Sequence, residues 1–358
     1  MEKTQIQKEK IIMKHTITLL ALFLCVATSF AQTVNIDGDP YGGNPYATIA
    51  AAITAANTDD VILITGTHTE SISVSKSIIL RGTDPTTDII QAAASEVQDG
   101  TGSRVVNLSG TATITIENLG IRYGNNAANG AGINVDKVTG QVTLQNLIIE
   151  DNYTTSNGGG LAFAGTNVNV IKSTIKNNTS LLDGGGIIAA PNNGYTADNT
   201  INIQQSLIDS NSGRNGGGLY INGNNGYGDE YRITVNVENT TILNNAANSA
   251  TTGSNGGGGI LSRAANYIGA DGNGGSNVTL QLIHATVYNN THAGNTTKDG
   301  IQFIKVGTES TNFSAFNSIV VNDDLTQKSL NFAFTNTVEV INCILGGLNS
   351  ANTTFLDN

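Results

Sequence analysis

The sequence predicts an all-β solenoid, a parallel β-helix of about nine coils behind a short capping helix, and three observations carry that prediction. A nine-residue frame recurs, as in Val170-Ile-Lys-Ser-Thr-Ile-Lys-Asn-Asn178, Ile203-Gln-Gln-Ser-Leu-Ile-Asp-Ser-Asn211 and Val237-Glu-Asn-Thr-Thr-Ile-Leu-Asn-Asn245. A glycine cluster follows most frames, for example Gly158-Gly-Gly-Leu161, Gly184-Gly-Gly-Ile187 and Gly216-Gly-Gly-Leu219. The composition is that of a chain with many corners: 42 Gly and 46 Asn among 358 residues, with only 13% charged and four Pro. So little charge and Pro excludes a disordered chain, and Gly without a three-residue period excludes collagen.

Each element follows from a column of the repeat. Residues two before the frame (Ile72, Ile114, Val142, Val168, Ile201, Val235, Leu280, Phe313, Val338) and at its first position (Val74, Ile116, Leu144, Val170, Ile203, Val237, Leu282, Ala315, Val340) alternate with polar residues. Period two means a half-buried strand. The sixth position (Ile79, Ile121, Ile149, Ile175, Ile208, Ile242, Val287, Val320, Leu345) belongs to a second short strand after a bend. The ninth (Gly82, Gly124, then Asn152, Asn178, Asn211, Asn245, Asn290) reads as a left-handed turn and an asparagine ladder. Each glycine cluster bends the chain into a third strand, such as Leu161-Ala-Phe163. Frames start 25 to 45 residues apart, so loops of variable length leave the coils. Stacked at about 4.8 Å per coil, nine coils make a rod of about 40 Å.

At the start, Lys14 precedes an apolar run, Ile17 to Val26, closed by Ser29-Phe30-Ala31. That pattern predicts a signal peptide over residues 1–31 and a secreted, extracellular or bacterial cell-surface protein. Its removal takes the net charge from −11 to −13 and leaves one cysteine, Cys343. Such an acidic surface disfavours nucleic acid and anionic lipid, and no later apolar run reaches membrane-spanning length. Residues 32–60 read as an N-terminal cap, with helical spacing at Ile49, Ile53 and Ala56. Residues 61–358 read as the β-helix, complete or truncated at its C-terminus.

The Gly-Gly-Gly-Leu/Ile clusters alternating with Ile/Val-x-x-Asn resemble the repeats of polymorphic outer membrane proteins. More broadly, the chain resembles the right-handed parallel β-helix, or pectin-lyase-like, superfamily of secreted bacterial surface proteins. The stretch from Tyr46 through Asp60-Val-Ile-Leu-Ile-Thr65 to Gly82 resembles the usual first turns of that superfamily. Ile or Val replaces the Phe of the outer-membrane motif throughout. The resemblance implies a right-handed solenoid, and its members include polysaccharide lyases, hydrolases and non-catalytic adhesins.

Chemistry is sparse in the repeat. The six Arg after the leader are Arg81, Arg104, Arg122, Arg214, Arg232 and Arg263. A lyase would gather carboxylates near one of them. Asp183 and Asp209 with Arg214, or Asp229 and Glu230 with Arg232, are the nearest fits. Outward strand positions hold Glu117, Gln145, Gln204 and Glu238 instead of the paired Asp of a hydrolase. His284 and Cys343 sit in repeat columns and read as ladder members. No catalytic residue and no metal ligand is assigned. Three long loops place Tyr195, Asp198, Tyr227, Asp229, Glu230, Tyr231, Tyr267 and Asp271 at one phase of successive coils. Such rings and carboxylates suit sugar stacking and hydroxyl contacts, with Ca²⁺ the one candidate ion. The expectation is a non-catalytic, adhesin-like or glycan-contacting module, with polysaccharide or cell-surface glycans as partners. A polysaccharide lyase or glycoside hydrolase is the alternative.

Overall fold

The computed structural model describes residues 32–37, 45–190, 198–223, 231–248, 256–265, 276–293, 300–306, 311–321, 330–332, 338–346, 348–350 and 355–356. The predicted leader, residues 1–31, lies outside them. From Thr33 onward the chain forms a right-handed parallel β-helix with three long sheets and one short one. Among the described residues the first sheet has twelve strands, the second and third ten each, and the short sheet six two-residue strands. Sequence columns suggested three strands per coil; the short sheet, from Asn125–Asn126 to Thr291–His292, is a fourth side.

Register follows the columns. In the first sheet Ile114, Val142, Val168, Ile201, Val235, Leu280, Phe313 and Val338 stand directly above one another. These side chains point inward and are at most 3% exposed, so one apolar core runs down the coils. Leu161, Ile187, Leu219, Ile260 and Ile301 form the matching row of the third sheet.

One frame is corrected. Ile72 and Val74 belong to the third sheet, paired with Val106 and Leu108, while Leu80 is the residue in register with Ile116. Residues Thr83 to Asp88 are inserted after Gly82, which displaces the sixth-position partner from Ile79 to Ile90. The buried Asp88 organises this insert by accepting from Gly66 N at 2.9 Å, Thr83 N at 2.7 Å, Thr83 Oγ1 at 2.8 Å and Asp84 N at 3.2 Å. Burial alone would raise its pKa, but these hydrogen bonds prevail and lower it.

The left-handed turns are also re-placed. Positive φ falls at the third frame position (Asn118, Asn146, Lys172, Gln205, Asn239, His284, Asn317, Asn342) and at the eighth (Tyr123, Asp151, Asn177, Ser210, Asn244, Asn289). The ninth position is not left-handed; it points its asparagine inward. There Asn152, Asn178, Asn211, Asn245 and Asn290 are at most 1% exposed. From Asn152 to Asn245 each Nδ2 donates to the next coil's Oδ1, at 2.9 Å from Asn152 to Asn178 and 3.0 Å from Asn178 to Asn211. It also donates to a carbonyl one coil back, such as Ile149 O at 2.9 Å, and each Oδ1 accepts from a backbone N–H as well. Every polar atom of the ladder is thus satisfied without water. The facing glycines are required by close approach: a Cβ on Gly160 would lie 2.7 Å from Gly186 O and 3.0 Å from Asn178 Nδ2.

The fourth frame position forms a second, hydroxyl ladder, with Ser173 N donating to Ser206 Oγ at 3.1 Å and Ser206 N to Thr240 Oγ1 at 3.2 Å. Cys343 ends it as a partly buried filler, accepting from Ser318 N at 3.4 Å.

The first coil is covered by helix α1 (Ile49–Ala55), which buries Ile49, Ala52 and Ile53. Thr48 caps its N-terminus, and Glu70 accepts from Ile49 N at 2.8 Å and Ala50 N at 3.2 Å. At the other end Lys76 Nζ donates to the carbonyls of Ile53, Thr54 and Ala56 at 2.8–3.0 Å. Negative charge at the start and positive charge at the end both oppose the helix dipole. Thr33–Ile36 pairs antiparallel with Val61–Thr65 and completes the cap.

Candidate functional site

An open cleft of about 670 Å³ lies on the outer face of the third sheet, near the N-terminal end of the rod. Its floor is the outward row begun by Ser73 and Asn107, in register one above the other, with Asn134 next. One wall is the end of the segment 92–104, which contributes Ser103 and Arg104; the other is the corner at Asn126 to Ala128. Ser71, Ser73 and Ser103 expose their hydroxyls.

The electrostatics are set by Arg104. It is half-buried, and its Nη1 donates to Asn107 Oδ1 at 2.8 Å, which also accepts from Asn134 Nδ2 at 2.9 Å. Burial lowers its pKa, opposed by the nearby Asp136 carboxylate on the same sheet face. A guanidinium so placed stays charged and offers its remaining donors to a ligand at strengthened electrostatic value.

Asn126 is the other unusual lining residue. It is 5% exposed, yet its Oδ1 has no hydrogen-bond partner. A buried acceptor left unpaired costs about 1–3 kcal/mol, so this corner of the lining carries an unmet hydrogen-bonding demand. Its neighbour Asn125 is committed: Oδ1 accepts from Gly100 N and Nδ2 donates to Asp99 Oδ1, both at 2.7 Å. This clamp holds segment 92–104 against the short sheet.

Of the residues singled out from sequence, Tyr195, Tyr227, Asp229, Glu230, Tyr267 and Asp271 lie outside the described residues. Tyr231 is described in its backbone, paired in register with Ser276. Asp198 Oδ1 accepts from Arg232 N at 2.9 Å, a contact that joins two coils.

Asp183 and Arg214 do come together, at 3.0 Å, and Asn215 Nδ2 donates to the same oxygen at 2.9 Å. Asp209 does not join them; it stands on the second sheet, where Asn244 Nδ2 donates to it at 3.1 Å. Close by, Tyr220 is buried on the outer face of the third sheet with Ala162, Ile188 and Leu261. Burial first, and the Asp183 carboxylate second, push its pKa up against a hydrogen bond with Arg263. Glu117 pairs with Arg81, and Gln204 Nε2 donates to Glu238 at 2.8 Å, so the outward row of the first sheet is tied to itself. His284 holds a left-handed corner and lies 3.1 Å from Asn317 Nδ2. Among the described residues no group of three or more His, Cys, Asp or Glu is arranged to hold a metal ion. No described helix is long and apolar enough to cross a membrane, which leaves strand-borne barrels unaddressed.

Sequence reading passed over Arg104, Asn107 and Asn126. The signal that could have found them is the 42-residue interval between the first two frames, which holds the insert and segment 92–104.

No family model matches the chain, and no match was found among curated proteins. Among solved structures it is similar to a pectin methylesterase mutant in complex with a hexasaccharide, at 14% identity and TM-score 0.44, covering 79% of this chain and 87% of that one. It is also similar to the pectin methylesterase from carrot, at 15% identity and TM-score 0.41, covering 82% and 86%. The likeness is one of fold, the right-handed parallel β-helix. Both neighbours are named as enzymes, which runs against the expectation of a non-catalytic, adhesin-like module; a likeness of this strength gives this chain no activity. At 14–15% identity no residue role passes from them to this chain.

Proposed function

We propose that the protein acts on a polysaccharide held across the cleft at Ser73, Arg104, Asn107 and Asn126. The observation that carries this reading is the lining itself: hydroxyls, carboxamides and one half-buried guanidinium. Sugar hydroxyls supply donors and acceptors at the spacing such a polar surface needs. Arg104 provides the charged group of the lining. The guanidinium would bind and polarise an oxygen of the sugar. The reading places the protein outside the cytoplasm, where the Ile17 to Ala31 leader pattern would send it.

The test is an oligosaccharide panel, neutral and acidic, read by calorimetry and by product analysis. Unsaturated sugar products would mark a lyase, and new reducing ends without unsaturation a hydrolase. Arg104→Ala is expected to weaken binding about tenfold or more, as loss of a charge-assisted contact implies, without unfolding the rod. Binding that persists unchanged in Arg104→Ala and Asn126→Ala would remove the cleft from the reading.

A further inference from the structure

The outward face of the first sheet differs in composition from its counterparts on the second and third. On six successive coils its central outward pair is Gln141 and Thr143, Asn167 and Asn169, Thr200 and Asn202, Thr234 and Asn236, Thr279 and Gln281, then Asn312 and Ser314. Pairing register stacks these pairs into two straight rows along the rod. All twelve side chains are half-buried or exposed, and all are uncharged hydrogen-bonding groups, in a chain with 28 acidic and 17 basic residues. The second sheet instead turns out Arg122, Glu150, Lys176 and Asp209 in register, and the third buries Ala162, Ile188, Tyr220 and Leu261. On the first sheet charge returns only at the margins, with Glu117 and Glu238 on one side and Arg232 on the other.

Strand geometry makes these rows a rectangular array, with side chains about 4.8 Å apart from coil to coil and about 6.6 Å apart along each strand. The array is ordered before anything meets it. Asn202 Nδ2 donates to Asn169 Oδ1 at 2.9 Å, and Asn236 Nδ2 donates to Asn202 Oδ1 at 2.8 Å. Asn167 Oδ1 accepts from Thr200 N at 2.8 Å, and Gln141 Nε2 donates to Val142 O at the same distance. The threonines are stiff at χ1 by their branching. A carboxamide has two donor hydrogens and two acceptor sites, so each of these keeps hydrogen-bonding capacity beyond the bonds just named. Side chains already held in place lose little conformational freedom when a partner arrives.

Charge and composition select the partner. Without Lys or Arg in either row, the face offers nothing to nucleic acid or an anionic surface. Without an aromatic or aliphatic anchor it lacks the hot spots of a protein interface, and it has no ring on which the apolar face of a sugar could stack. A neutral, periodic array of donors and acceptors matches a neutral partner that is itself such an array, and solid water is one, with oxygen atoms at comparable spacings. We propose that the outward face of the first sheet binds ice. Waters held by the threonine hydroxyls and asparagine amides at coil spacing join the oxygen lattice of a crystal face, and the crystal then advances only between bound molecules. This surface is separate from the cleft on the third sheet, and the proposal does not rest on the polysaccharide reading.

The experiment follows single ice crystals, and the grain size of annealed polycrystalline ice, in solutions of the full chain. Expected are faceted crystals, a gap between melting and freezing points, and grains several-fold smaller than in serum albumin at equal mass. The double variant Thr200→Lys with Thr234→Lys places two charges in the middle of one row, at positions whose side chains point away from the core. It is expected to abolish all three effects while the circular dichroism spectrum and thermal unfolding stay those of the parent. Arg232→Ala at the margin and Arg104→Ala in the cleft are expected to keep them. A parent protein that leaves ice growth as albumin does overturns the proposal, and so does activity that persists in the folded double variant. Retention on microcrystalline cellulose that the double variant loses, with no effect on ice, would assign the face to a neutral glycan and equally overturn it.

Discussion

Asn178 and Asn126 are both buried asparagines on the same side of the rod, and they have opposite consequences. Asn178 spends its donors on Ile149 O and Asn211 Oδ1 and its acceptor on Asn152. Asn126, two residues past the point where Gly124 stands in place of a ladder asparagine, keeps an unpaired Oδ1 at the edge of a cleft. Side-chain chemistry is identical, so the difference lies in the neighbours. Where the column repeats, the amide is consumed by the fold. Outside that column, beside Thr154 in the short sheet, the oxygen has no partner.

Three measurements would break or sharpen that contrast. The largest effect is expected in mid-ladder. Asn211→Leu strands Asn178 N–H and Nδ2 together with Ile175 O, and should cost about 3 kcal/mol or more in denaturant unfolding. A cost below about 1 kcal/mol would mean the ladder is ornamental to stability.

Asp88 extends the comparison to a charge. Its lowered pKa means its contribution is present above the ordinary carboxylate range and lost as pH falls through the depressed value. Asp88→Asn should therefore destabilise by about 1–3 kcal/mol near neutrality and flatten the acid limb of stability against pH. An unchanged acid limb would show that the Thr83–Asp88 insert is held by other contacts.

The smallest effect is expected at Asn126. Removing a carboxamide whose oxygen is already unpaired should change stability by less than about 1 kcal/mol, in either direction, while weakening oligosaccharide binding. A ladder-sized loss would place Asn126 with Asn178 and dissolve the contrast.

The architecture was legible because register is written in columns. Each of the frames from Ile116 to Val340 stands in the predicted pairing, since the core accepts only apolar residues at fixed phase. The first frame slipped because Ile72, Val74 and Ile79 mimic the pattern while an insert around Asp88 moves the true phase to Leu80 and Ile90. Left-handed geometry was read into the ninth position because Asn tolerates it; the buried ladder uses Asn for its amide instead, and Asp151, Asn177 and Asn244 make the turn one residue earlier. The cleft was illegible for a different reason. Arg104, Asn107 and Asn126 are brought together by an interruption of the repeat, and periodicity is silent about what breaks it. Three of the four loop tyrosines chosen for their regular phase lie outside the described residues, and Asp198 proves to tie one coil to the next.

The clasp on α1 has a bearing on how such a rod comes to exist. Glu70 and Lys76 reach back only 20–23 residues to the helix, whereas ladder bonds join residues 26–45 apart. Closing a shorter loop loses slightly less chain entropy, about 0.6 kcal/mol per halving of length, so the N-terminal coil is at no disadvantage in organising first. Once set, it offers a ready row of unpaired strand edges and amides to the chain that follows. Folding then resembles the growth of a polymer from a seed, one coil at a time in the order of synthesis, and the helix is the surface on which that growth cannot run backwards.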